Sequence, residues 1–62
     1  MPHVQITMLK GRTLEQKRKL ATRVTDALAE ECAARREAIS IAIVEVSKED
    51  FASAGTLVVD KK

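Results

Sequence analysis

The run Ala38-Ile39-Ser40-Ile41-Ala42-Ile43-Val44-Glu45-Val46 constrains this chain more than any other stretch. Extended, it puts Ile39, Ile41 and Ile43 on one face and Ser40, Ala42 and Val44 on the other. Both faces are largely apolar, which is the pattern of a strand covered from two sides. A chain of 62 residues has little with which to cover it. Domains near this size bury only about 60% of their unfolded surface and lean on disulfides, metals or association. Cys32 is the one cysteine and His3 the one histidine, so no internal disulfide can form and a structural zinc site is disfavoured. Association remains. The expectation is one small domain, residues 1–62, stabilised by contact with further chains.

The preceding segments supply one cover. His3 to Leu9 alternates, with Val4, Ile6 and Met8 on one face and His3, Gln5, Thr7 and Leu9 on the other, and reads as a strand. Lys10-Gly11 ends it. His3 reads as a partly exposed strand residue, because nothing near it in sequence is spaced to orient it. Thr13-Leu14-Glu15-Gln16 has the form of a capping box and opens a helix running to about Ala33. Its apolar stripe is Leu20, Val24, Ala27, Leu28 and Glu31/Cys32, with Cys32 read as a small buried hydrophobe. Glu15 and Lys19 are spaced for an i,i+4 ion pair on the solvated face.

Ala34 to Glu37 is then a polar connection into the apolar strand. Strand, helix, strand gives an α/β fold: one right-handed β-α-β unit with two parallel strands. The isoleucine face is expected to pack on the helix. The face expected to hold Pro2, Ser40, Ala42 and Val44 is left for another subunit. Phe51 to Gly55 suggests a tight turn or hairpin, Leu57-Val58-Val59 a short strand able to pair with a neighbouring chain, and Asp60-Lys61-Lys62 a frayed tail.

Several function classes fall away. The net charge is only +2 and bases alternate with acids, whereas a nucleic-acid interface would cluster them beside stacking aromatics; Phe51 is the one aromatic. No apolar run approaches the roughly 20 residues that span a bilayer, and a cytoplasmic location is the expectation. No glycine-rich phosphate loop, Ser-His-Asp set or metal-ligand spacing is present, so no cofactor and no metal is expected.

What remains is Pro2. Removal of Met1 would turn its nitrogen from an amide into a free secondary amine. Chain-terminal amines titrate near pKa ~7.7–8, within reach of general-base work. Apolar surroundings or a nearby guanidinium both disfavour the protonated form of such an amine. At about 3.3 Å per strand residue, Pro2 and Arg12 of one chain stand ~30 Å apart. They can meet over one small substrate only if the arginine comes from another subunit.

Three segments, PHVQITMLKGRTLEQK, REAISIAIVEV and Phe51 followed by Ala54-Gly55, give the chain a resemblance to the 4-oxalocrotonate tautomerase family of small subunits. The resemblance runs from Pro2 to about Leu57. It implies an isomerase that moves a proton between carbons of a small 2-hydroxy or 2-oxo enoic acid. Pro2 would be the base, Arg12 the carboxylate clamp and Phe51 an apolar wall. It also implies a hexamer, a trimer of dimers, with sites shared between chains; here a homohexamer is expected. Family members acting on dicarboxylates often carry a second arginine in the middle strand. Register puts Ser40 there, with Arg36 near enough to be weighed as a partial replacement. The alternatives are an inactive or structural subunit retaining Met1 or partnering an active one, and a binding module for something else.

Overall fold

The computed structural model describes residues 1–61. Strand β1 spans His3–Leu9, helix α1 Leu14–Glu31 and strand β2 Ser40–Val46, with β1 and β2 paired in parallel. The β-α-β unit and its parallel pair are as the sequence pattern predicts. A short C-terminal hairpin follows, with β3 at Ala52–Ser53 antiparallel to β4 at Thr56–Leu57.

Each boundary has a local cause. Gly11, at φ +131°, lets the chain leave β1 through a conformation closed to other residues. Thr13 then caps α1 reciprocally: its hydroxyl accepts from the Gln16 amide at 3.1 Å and its own amide donates to the Gln16 side chain at 2.9 Å. After Glu31 the chain turns out of the helix, with Ala33 at φ +53°. A 3-10 turn, Arg36–Ala38, delays β2 to Ser40, two residues later than the apolar pattern suggests. The Ala38 and Ile39 amides donate to the Arg35 and Arg36 carbonyls there and are unavailable to the ladder.

The helix half-covers one face of the sheet. In register, Val4, Ile6 and Met8 lie beside Ile41, Ile43 and Glu45, and all six are partly shielded. Leu20, Val24 and Leu28 supply the stripe above them. Two stripe assignments are corrected: Ala27 and Cys32 are exposed. At 100° per residue Ala27 is turned aside from a stripe centred on Val24 and Leu28, and Cys32 lies past the last helical turn. Glu15 pairs with Arg18 at 3.5 Å rather than with Lys19. Lys17, on the covered face, forms a part-buried ion pair with Glu45 that ties the start of α1 to the end of β2.

The C-terminal segment differs from expectation beyond the hairpin. Val58–Asp60 forms a 3-10 turn, not a strand, because the Val58 amide donates to Phe51 and the Val59 amide to Lys48. Lys61 reaches the Ser53 hydroxyl, so the expected fraying does not extend to Asp60 and Lys61; Lys62 lies outside the described residues.

None of the described residues is fully buried. The radius of gyration is 14.6 Å, against about 10.6 Å for a compact chain of this length. Surface area is 4962 Å², against about 4,000 Å² for a compact monomer of this size. A single chain this open leaves its apolar side chains without a buried core among the described residues.

Candidate active site

The parallel register divides the candidate residues between the two ends of the sheet. Pro2 precedes β1 and Ser40 opens β2, so both stand at the strands' N-terminal end. The Ser40 amide donates to the Pro2 carbonyl at 3.1 Å, which fixes the backbone beside the prospective amine. Arg12 and Phe51 follow the opposite ends of the same strands, past Leu9 and Val46. Seven residues of strand separate the two groups, about 20 Å of rise. Within one chain the four do not converge.

Arg12 is exposed and borders an apolar hollow of about 310 Å³, with Met8 and Leu20 as its apolar wall. Lys17 also borders the hollow, but its ammonium is engaged by Glu45. The guanidinium of Arg12 is therefore the cation there without an ion pair among the described residues. Phe51 is 42% exposed, large for an aromatic whose backbone carbonyl is already held by Val58.

Arg36 sits in the 3-10 turn at the Pro2 end, as its place in sequence implies. Its Nη1 lies 2.5 Å from Asp26 Oδ1, and the pair ties the turn to α1. The sequence weighs Arg36 as a partial replacement for a missing arginine. Its charge is met by a carboxylate instead.

One face assignment is corrected. Ser40 was expected on the face holding Pro2, but the register sets Ser40 against His3 and Ile41 against Val4. By alternation Pro2 shares the face of Val4 and Ile41, under the helix, and Ser40 shares the open face with His3, Gln5 and Ala42. Ser40 stays next to Pro2 through its backbone, not through a shared face. The same register reveals a group that the sequence reading passed over. His3 Nδ1 lies 2.7 Å from Ser40 Oγ, across a separation of 37 positions. Only the strand pairing brings them together.

Comparison with known proteins points one way. A family model described as tautomerase enzyme matches residues 2–61. A 2-hydroxymuconate tautomerase of Bacillus subtilis (strain 168) is 47% identical over 55 residues, 89% of each chain. Among solved structures, a homologue of 4-oxalocrotonate tautomerase superimposes with a TM-score of 0.94 at 43% identity, over 98% of this chain and 100% of its own. A heterohexameric 4-oxalocrotonate tautomerase from Chloroflexus aurantiacus does so with a TM-score of 0.92 at 29% identity, over the full length of both.

Proposed function

The chain belongs to the tautomerase family, and from that membership we propose that it isomerises a small 2-hydroxy or 2-oxo enoic acid with Pro2 as its general base. The observation that carries this reading is the position of Pro2. It immediately precedes β1, is held through its carbonyl by Ser40, and is the first residue of the family match. Met1 is fully exposed, so a processing enzyme can reach it. Its removal frees a secondary amine at the sheet's end, which takes a proton from one carbon of the substrate and returns it at another.

Arg12 supplies the carboxylate clamp. A guanidinium presents two parallel N–H groups that match a carboxylate's oxygens. Because Arg12 and Pro2 stand at opposite ends of one sheet, the site is completed between chains, and activity requires assembly. Phe51, exposed in the single chain, forms the apolar wall of that shared site. We assign Ser40 to the substrate's polar side and leave Arg36, already paired with Asp26, out of the substrate's cation set. A homohexamer fits these requirements. It is supported by the open core and by the hexameric state of the Chloroflexus relative.

That relative is a mixed assembly, which favours one second reading: a chain partnering a different, active subunit. Native mass spectrometry separates the two, since the homohexamer holds six equal masses. The first reading is tested by assaying phenylenolpyruvate with Pro2→Ala in processed, assembled protein. The reading expects kcat/KM to fall about 100-fold or more, the range of a lost general base. Unchanged turnover would remove Pro2 from the mechanism.

A further inference from the structure

Arg12 and Lys17 border one hollow, and a carboxylate stands against the same wall. Glu45 lies beside Met8 of that wall in the strand register, and the Lys17 ammonium holds it. Both members of this pair are part-buried, whereas Arg12 is exposed and free of ion pairs among the described residues. The Gln16 side-chain oxygen, also at the hollow, is engaged by the Thr13 amide. Of the two cations at the hollow, one is therefore committed and one is not.

A part-buried carboxylate draws an available cation, because its charge is costly to leave unmet. A guanidinium suits it better than an ammonium does, since two parallel N–H groups match its two oxygens. Without Lys17, Glu45 would compete for Arg12 with any carboxylate arriving from solvent. We propose that Lys17 is a positioning residue: by neutralising Glu45 it keeps the Arg12 guanidinium free for the substrate's carboxylate. The inference rests on the reading of Arg12 as the clamp given above. In this role Lys17 acts through Glu45, not on the reacting atoms.

The two partners should then act on substrate binding with opposite signs. Removing the Lys17 charge leaves an acid beside the hollow that captures Arg12 and repels an incoming carboxylate. Removing the Glu45 charge takes that competitor away and releases a second cation, Lys17, to the same hollow. A pair that did no more than tie α1 to β2 would respond alike to the loss of either partner.

The test measures KM and kcat for phenylenolpyruvate in processed protein, with native mass confirming equal assembly. Lys17→Met should raise KM about ten-fold, the worth of one charge-assisted hydrogen bond, and move kcat far less. Glu45→Gln should lower KM. Lys17→Met combined with Glu45→Gln should recover most of the loss, and Lys17→Arg should hold KM closer to wild type than Lys17→Met does. A raised KM in both single variants, or no recovery in the double one, overturns the inference in favour of a structural tie. Should Lys17→Met fail to assemble, Glu45→Gln decides alone: a lowered KM supports the inference, and a raised or unchanged one overturns it. Arg12→Ala with unaltered KM overturns the clamp reading and this inference together. A raised KM in Arg12→Ala beside an unmoved one in Lys17→Met overturns the inference and leaves the clamp standing.

Discussion

The Ser40 amide donates to the Pro2 carbonyl at 3.1 Å, so the first residue of β2 holds the residue that precedes β1. The backbone of position 40 is thus fixed next to the prospective base, and a long side chain placed there starts from that point on the open face. We expect Ser40→Arg to raise kcat/KM for dicarboxylate dienols about ten-fold. The reason is exchange of one neutral hydrogen bond, about 0.5–1.5 kcal/mol, for charge-assisted ones of about 1.5–3. Activity on monocarboxylate enols should not gain. Steady-state kinetics on both substrate classes checks it, and equal effects on both would disprove the selectivity argument.

Arg36→Ala should leave the ratio of those two activities where it was. The guanidinium is paired with Asp26 and about half exposed, so its loss costs stability of only ~0–1 kcal/mol. A selective fall in dicarboxylate turnover would return Arg36 to the site.

Lys17 and Glu45 bind the helix to the sheet with each side chain 26% exposed. Removing either partner leaves the other charge half-buried, and Glu45→Ala or Lys17→Ala should each cost about 1–2 kcal/mol. Lys17→Met with Glu45→Met should recover much of that loss, since two apolar chains need no partners there. Chemical denaturation at fixed protein concentration measures both, because assembly makes apparent stability concentration-dependent.

Ala54 and Gly55 turn the C-terminal hairpin with φ of +51° and +81°. Two positive φ values fit the turn that favours Asn-Gly, and a left-handed alanine is disfavoured by about 1–2 kcal/mol. Ala54→Asn should therefore stabilise the protein by up to about 1 kcal/mol without touching the candidate site. A lower melting temperature at equal concentration would contradict this.

Assembly itself is testable at Val44, which is 39% exposed on the open face. Val44→Asp should dissociate the proposed hexamer, because a desolvated carboxylate without a partner is costly in an apolar contact. Light scattering at micromolar concentration reads the outcome. A wild-type chain that is a stable folded monomer would contradict the account of the core.

Much of this was legible in the sequence. The period-two runs gave β1 and most of β2, and Thr13 with Gln16 marked the start of α1. The apolar second face of the Ile41 strand called for a cover, and the chain itself does not supply one among the described residues. Pairing across the sheet was not legible, and the errors follow from that. Placing Pro2 and Ser40 on one face needed the register between strands, which local pattern does not carry. The His3–Ser40 contact and the Arg36–Asp26 pair depend on the same long-range geometry. Val58 and Val59 read as strand because they are β-branched, whereas their amides are drawn back to Phe51 and Lys48.

The central claim is that a free Pro2 amine does the chemistry, and retention of Met1 tests it without altering any other residue. With Met1 attached, the Pro2 nitrogen is a non-basic amide and the chain's amine moves about one residue, ~3.8 Å, away. The measurement is turnover of phenylenolpyruvate by two preparations of equal oligomeric state, distinguished by intact mass as retaining or lacking one methionine. The account predicts activity in the processed protein and a loss of about 100-fold or more in the unprocessed one. Equal activity in the two would contradict it.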